Sequence, residues 1–172
     1  EKEQLEVRLS SLSQPYTVSR KKAEANVQNV SSALPAGSAL MEFIKVRMYD
    51  FRAEAEKRWI GSRYFVFVLQ AGNPGGVRLV DLGDAAKTDS AIAAFKETLT
   101  PADAIRDRKA FQRAGELYSA VFAPLEIPLA DCREVFLSPD GHISLLPLEV
   151  LRKPDGRFLV EEYTFNGLPS GR

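Results

Sequence analysis

The sequence predicts an α/β fold, and three observations lead to that prediction. A continuous run of strand-forming apolar residues covers positions 63–69, as in a strand that is buried on both faces of a sheet. Apolar residues at helical spacing follow at positions 111–121. That helical pattern leads into a second apolar run at positions 135–137. A helix that comes after several strands and feeds another strand predicts helices packed against a sheet.

The amino-terminal part of the chain, residues 1–34, is predicted to be helical. Pro15 is expected to interrupt an earlier short helix, because proline removes a backbone donor and collides with the preceding turn. The segment 35–38 is typical of a turn and ends the helical pattern. The apolar residues that form the predicted helical stripe are Ala23, Val27, Val30 and Leu34.

Three strands are predicted next, at residues 39–48, 63–69 and 77–82. A strong turn signal at residues 73–76, Asn-Pro-Gly-Gly, separates the second strand from the third. The polar segment 49–62 separates the first strand from the second. Because these connections are too short for crossover helices, the three strands are predicted to form an antiparallel meander.

Two helices are predicted after the meander. The first buries Ile92, Phe95 and Leu99, with Asp84 or Thr88 placed to cap its first turn. The second is predicted to start at residues 100–103, Thr-Pro-Ala-Asp, where proline suits the first helical position. Its predicted buried stripe consists of Phe111, Ala114, Leu117, Tyr118 and Val121.

The stretch 133–151 carries the most specific signal in the chain. The short apolar run 135–137 is closed by a Ser-Pro-Asp-Gly turn at residues 138–141. An apolar segment broken by Pro147 follows, and a second Pro-Asp-Gly turn occupies residues 154–156. The next run, residues 158–165, is predicted to be a strand.

This pattern resembles the CHAT domain, a caspase-like module usually found behind tetratricopeptide repeats in bacterial proteins. The order and spacing of several short motifs carry the resemblance, which covers roughly residues 33–172. The matching segments lie at residues 34–40, 42–43, 139–141, 145–151, 155–161 and 168–172.

The resemblance implies a three-layer α/β/α caspase-like sandwich, of which this chain supplies the N-terminal portion. That portion would contain the antiparallel meander and a preceding helical segment. Residues 1–34 would be a helical linker from upstream repeats, and residues 35–172 would be the N-terminal part of the CHAT domain. The catalytic His-Gly and Cys motifs of the family lie beyond the Leu-Pro-Ser segment at residues 168–170. The resemblance therefore places no catalytic residue in this chain.

Composition excludes several classes of protein. The 172 residues suffice for one domain with a real core, and 23 basic side chains balance 23 acidic ones. A balanced charge does not gather phosphates or anionic lipids, so neither a nucleic-acid partner nor a membrane partner is expected. The chain contains no apolar run long enough to span a bilayer and does not open on a signal peptide. With a single cysteine, these features predict a cytoplasmic protein.

Cys132 and His142 are the only thiol and the only imidazole, which raises the possibility of a cysteine-peptidase dyad. Such a pair needs contact near ~3 Å so that the imidazole can take the thiol proton. A predicted strand separates the two residues, and extended residues advance about 3.3 Å each. We therefore expect neither residue to be catalytic.

The remaining candidate residues are assigned structural roles. One histidine and one cysteine are too few ligands for zinc, so neither a metal site nor a cofactor site is expected. Asp140 and Asp155 are explained by their turns. The glycines at positions 72, 75 and 76 lack the Gly-Lys-Ser/Thr of a phosphate loop. Glu161 and Glu162 are expected on opposite faces of a strand, which excludes a working carboxylate pair.

Two functions follow as expectations. The favoured one is the non-catalytic N-terminal portion of a CHAT-type cysteine endopeptidase, whose dyad comes from a segment following Arg172. Its partners would be the remainder of the domain, an upstream repeat domain and a peptide substrate. The alternative is a non-catalytic interaction or scaffold module with the same fold. Arg172 itself is either a processing site or an arbitrary boundary, and both possibilities remain open.

Overall fold

A computed structural model of the chain describes residues 26–99 and 108–168, and its centre is one mixed five-stranded sheet. Across the sheet the strands are arranged in the order β3-β2-β1-β4-β5. This arrangement confirms the predicted α/β class. The strands are β1 (Ser38–Tyr49), β2 (Trp59–Gln70), β3 (Arg78–Asp84), β4 (Glu134–Ser138) and β5 (Thr164–Gly167).

The first three strands form the predicted antiparallel meander. Leu40 of β1 lies opposite Leu69 of β2, and Phe67 of β2 lies opposite Leu79 of β3. On its other edge β1 pairs with β4 in parallel, and β4 pairs in parallel with β5. Strands β1, β4 and β5 therefore run in the same direction.

Within the described residues, three helices accompany the sheet: α1 (Val27–Ala33), α2 (Ala85–Leu99) and α3 (Arg108–Leu117). The Asp84 carboxylate accepts the Lys87 amide at 2.9 Å and caps α2, which confirms one of the two predicted caps. Helix α3 continues through a π-helical turn at Tyr118–Phe122. The helix start predicted at residues 100–103 lies outside the described residues. None of the helices in the described ranges is both long and apolar enough to cross a membrane.

Helix α1 buries a polar residue within the apolar stripe that the sequence predicts. Val27 is exposed, whereas Ser31 is the buried residue of the helix. The Ser31 hydroxyl donates to the Gln70 carbonyl, and the Ser31 carbonyl accepts the Gly72 amide. Val30 and Leu34 lie beside Ser31 on the same face of the helix and are partly buried, so the predicted apolar stripe faces the core there but not at Val27. The rest of the predicted segment, residues 1–25, lies outside the described part of the chain.

The prediction that residues 63–69 are buried on both faces of the sheet is wrong for much of strand β2. Tyr64, Val66 and Val68 are almost completely inaccessible, but Phe67 between them is 38% exposed. The inaccessible face packs against α2 and α3, whose apolar residues belong to the same core. On the opposite face, Leu79 of β3 is 58% exposed. Within the described residues, helices therefore cover one face of the meander.

The predicted strand at residues 158–165 is confirmed only at residues 164 and 165. A 3-10 turn occupies Leu159–Glu161, and β5 begins only at Thr164. The Glu161 carboxylate accepts the Phe158 amide at 2.7 Å, and the Tyr163 amide donates to the Leu159 carbonyl. These local bonds stabilise a turn, which then places Leu159 and Tyr163 in the core.

The connection between β1 and β2 is shorter than predicted. The sequence predicts that residues 49 and 59–62 belong to a polar connection, but Tyr49 still pairs with Trp59 across the two strands. A register shift precedes Tyr49, and Gly61 adopts a positive φ of 107° on the facing strand. This irregularity lets the two strands continue as a ribbon past the end of β3.

Candidate functional site at the carboxyl ends of the parallel strands

The turn that follows β4 is fastened to the neighbouring strand. The Asp140 carboxylate accepts the Gly141 amide at 2.7 Å and the Lys45 amide of β1 at 2.8 Å. Gly141 has a φ of 57°, and a Cβ atom there would collide with the Tyr64 hydroxyl. Asp140 therefore does more than shape its own turn, because it also satisfies a backbone donor of β1.

A polar cluster of four side chains lies beside this turn. Asp89 of α2 accepts from the Lys45 ammonium at 2.6 Å and from the Tyr64 hydroxyl at 2.7 Å. The Nδ1 atom of His142 lies 3.0 Å from the same carboxylate. The Tyr64 hydroxyl in turn accepts the His142 backbone amide at 2.9 Å. The cluster joins β1, β2, α2 and the turn after β4.

The charges of the cluster follow from these contacts. Burial raises the pKa of Asp89, but donors from Lys45, Tyr64 and His142 outweigh it and hold that pKa below its usual range. Burial, together with the hydrogen bond to Asp89, raises the pKa of Tyr64 to about 12. Near neutral pH the cluster therefore contains a carboxylate and a neutral phenol. Its contacts stabilise the turn rather than activate a nucleophile.

A cleft of about 510 Å3 opens next to the cluster, at the carboxyl ends of β4 and β5. Its wall is a pair of short 3-10 turns, Gly141–Leu145 and Leu148–Val150, anchored by buried apolar side chains. The polar groups at the cleft come from Ser144 and Glu149, and the rest of the lining is mostly apolar. The residues that line it are Phe43, Leu137, Pro139, Ile143, Ser144, Leu145, Leu146, Pro147, Leu148, Glu149 and Gly167.

Cys132 and His142 lie at opposite ends of β4. Cys132 precedes the strand and is buried, and His142 follows its carboxyl end and is bonded to Asp89. Burial raises the pKa of the Cys132 thiol, which keeps the group protonated near neutral pH. The structure therefore places these two residues in separate surroundings. The expectation that neither is catalytic stays a prediction.

The other candidate residues have local partners. Asp155 accepts the Arg157 amide and its guanidinium, and these bonds hold the pKa of Asp155 below its usual range. The expectation that Glu161 and Glu162 are strand residues is wrong, because both belong to the turn before β5. Glu161 caps that turn, whereas Glu162 pairs with Lys153 and Arg157. Within the described ranges, no group of three or more His, Cys, Asp or Glu side chains could hold a metal ion.

The polar cluster and the cleft were not identified from the sequence. Lys45, Tyr64, Asp89 and His142 lie far apart along the chain, and none belongs to a short motif. A weak signal was available for His142 alone, because it follows a predicted strand at its carboxyl end. Only the pairing of β1 with β4 and the packing of α2 bring the four side chains together.

Comparison with known proteins gives one family match. Residues 112–172 match the CHAT domain, and this confirms the resemblance over that part of the chain. The matched range includes β4, the turns that line the cleft, and β5. No curated protein matches the chain.

Proposed function

Because residues 112–172 match the CHAT domain, we propose that this chain is the non-catalytic N-terminal portion of a caspase-like cysteine endopeptidase. The match supports the assignment of the chain to a caspase-like, peptidase-associated module. In the proposed enzyme, the His and Cys dyad comes from a segment that follows Arg172. The complete domain would be a three-layer α/β/α sandwich in which further helices cover the open face of the sheet.

The observation that supports this proposal is the position of the cleft. Open α/β sheets bind their ligands beyond the carboxyl ends of the strands. The cleft lies there, and its lining includes Gly167, the last residue of β5. The next amide, from Leu168, donates to the Leu137 carbonyl at 2.6 Å, which holds the chain beside β4. The described part of the chain therefore leaves β5 beside the cleft.

In this proposal the chain contributes binding surface instead of a nucleophile. The buried Cys132 thiol is unsuited to nucleophilic attack, because attack needs an accessible thiolate. The mostly apolar cleft suits an extended peptide that inserts an apolar side chain. The Asp89 cluster and the Asp140 bonds would hold the wall of the cleft in position.

The test compares the complete gene product with the isolated chain on a fluorogenic peptide library. We expect the complete product to hydrolyse peptides and the isolated 172-residue chain to be inactive. Cys132→Ala in the complete product should retain the full rate. Hydrolysis by the isolated chain that Cys132→Ala abolishes would contradict the proposal.

A second comparison tests the cleft itself. Ser144→Phe places an aromatic ring at the cleft and should lower kcat/KM of the complete product by about tenfold or more, equivalent to ~1.4 kcal/mol. Ser119→Phe is the matched control, because Ser119 is also exposed and also donates to a local backbone carbonyl. Equal rates for the two variants would exclude the cleft from substrate binding.

The alternative is a non-catalytic interaction module that docks a partner or reports on attached repeats. It is favoured by a specific observation, the exposed aromatic residues at the end of the β1–β2 ribbon. The segment after Arg172 discriminates between the two functions. A His-Gly motif followed by a downstream cysteine would favour the peptidase, and the loss of both would favour the module.

A further inference from the structure

The ribbon formed by β1 and β2 extends past the rest of the sheet. Pairing between β2 and β3 covers residues 63–68 of β2, whereas β1 and β2 stay paired as far as Tyr49 and Trp59. The Asp50 amide donates to the Arg58 carbonyl and closes the ribbon beyond that pair. This end of the molecule is therefore an arm with a defined backbone.

Three aromatic side chains gather on this arm. The ring of Tyr49 lies 4.8 Å from that of Phe51 and 4.9 Å from that of Trp59, both edge-on. Phe51 is 85% exposed and Trp59 is 53% exposed. Aromatic rings that are held by one another but open to solvent lose little conformational freedom when a partner covers them. Exposed tryptophan and tyrosine are also enriched among residues that dominate binding energy.

Two guanidinium groups border these rings. The guanidinium carbon of Arg47 lies over the Trp59 ring, 4.2 Å from the ring centroid. Arg58 donates from Nη1 to the Tyr49 hydroxyl at 3.1 Å and from Nε to the Ala53 carbonyl. Within residues 26–99 and 108–168, neither arginine forms an ion pair with a carboxylate.

The position of the Arg47 guanidinium over the ring determines which groups it can bind. A guanidinium in cation–π contact with an aromatic face keeps its N–H groups available as hydrogen-bond donors. These donors can take a carboxylate through two parallel hydrogen bonds. The aromatic surface beside them can meanwhile cover an apolar side chain. An acidic residue next to an apolar residue is therefore complementary to this surface in both charge and polarity.

We propose that the aromatic surface of Arg47, Tyr49, Phe51, Arg58 and Trp59 is a docking site for an acidic, apolar peptide segment of a protein partner. Single-stranded nucleic acid also stacks on aromatic rings beside arginines. The chain as a whole has no net charge, however, whereas binding to nucleic acid depends on many basic side chains that neutralise a row of phosphates. Two arginines beside apolar rings are better matched to one acidic residue and one apolar residue of a protein. This inference is independent of the catalytic proposal.

The experiment selects random linear peptides from a display library on the immobilised full chain. We expect enriched peptides to combine Asp or Glu with apolar residues. Their affinity should fall about tenfold or more in Arg47→Gln and Trp59→Ala, the change expected when one bidentate contact or one aromatic anchor is lost. Arg52→Gln is the matched control, because Arg52 is exposed on the same arm but lies outside the aromatic surface.

Several outcomes of this experiment would contradict the proposed docking site. Enrichment of peptides without acidic residues, or equal affinity for Arg47→Gln and Arg52→Gln, would overturn the proposal, as would the absence of any enriched peptide. Tighter binding of a labelled single-stranded oligouridine than of the best peptide would assign the surface to nucleic acid instead. Circular dichroism of each variant verifies that the fold is intact, because the substituted side chains are exposed.

Discussion

Asp89 shows how one side chain can connect four elements of this fold. Its carboxylate accepts from Lys45, Tyr64 and His142, and its side chain is 14% exposed. Hydrogen bonds to a charged, largely enclosed acceptor are stronger than those between neutral groups. Loss of the Asp89 charge should therefore weaken contacts that involve two strands, a helix and the turn that lines the cleft.

Asp89→Asn should lower the free energy of unfolding by about 2 kcal/mol at neutral pH, because three donors lose a charged acceptor. Urea denaturation measures the change. Asp81→Asn is the control, since Asp81 pairs with Arg63 on an exposed face of the sheet. It should cause a smaller loss that added salt reduces. Losses of equal size would mean that the cluster does not stabilise the fold.

The stabilisation by Asp89 should also depend on pH in a defined direction. The folded state holds the pKa of Asp89 below its unfolded value, so the unfolded chain binds the proton more readily. The contribution is therefore fully present above the unfolded pKa and is lost as the pH falls through the folded pKa. The difference between the wild-type chain and Asp89→Asn should narrow below about pH 4. A difference that stays constant as the pH falls would contradict this linkage.

The two faces of the sheet have different environments, although their sequences are similarly apolar. Phe43 of β1 faces the helices and is 2% exposed, whereas Phe67 of the neighbouring strand faces away from them and is 38% exposed. Removal of a buried phenylalanine leaves a cavity, but removal of a partly exposed one leaves a surface that water can fill.

Phe43→Ala should cost about 3–5 kcal/mol of unfolding free energy, and Phe67→Ala should cost less than about 1.5 kcal/mol. The two residues have the same side chain on paired strands, so each is a control for the other. Both values follow from the midpoints of denaturant unfolding, if the unfolding free energy of each variant falls with denaturant concentration at the same slope. Similar large losses would show that the second face is covered in solution.

At the scale of the molecule, the sheet carries an apolar face and an edge that both favour association. Phe67 and Leu79 lie opposite each other on that face, and β5 forms one edge of the sheet. Unpaired strand edges and contiguous apolar surfaces are templates for pairing with another chain. The proposed remainder of the CHAT domain would cover these surfaces.

We therefore predict that residues 1–172 alone associate in solution, as measured by light scattering. The double variant Phe67→Asp and Leu79→Asp should shift the chain towards the mass of a monomer, because buried carboxylates oppose association. Ile127→Asp is the control, since Ile127 is 86% exposed but lies outside the strands. A wild-type chain that is monomeric and melts in one sharp transition would refute the prediction.

The sequence by itself determined the local elements of this protein. Turn residues and apolar runs predicted β1, β3, β4 and the antiparallel meander, and Asp84 marked the start of α2, because these features depend on neighbouring residues. The motifs also predicted a resemblance to the CHAT domain, and residues 112–172 match that domain.

Tertiary structure decided which face of the sheet is buried, where β5 starts and how the candidate site is assembled. An apolar run looks the same whether one face or both faces are covered, so the exposure of Phe67 depends on where α2 and α3 pack. Strand β5 starts at Thr164 because that residue pairs with Glu134 at the start of β4, a contact between distant parts of the chain. Asp89 meets Tyr64 and His142 only after the strands pair and α2 packs, since contacts between distant residues are formed by the whole fold.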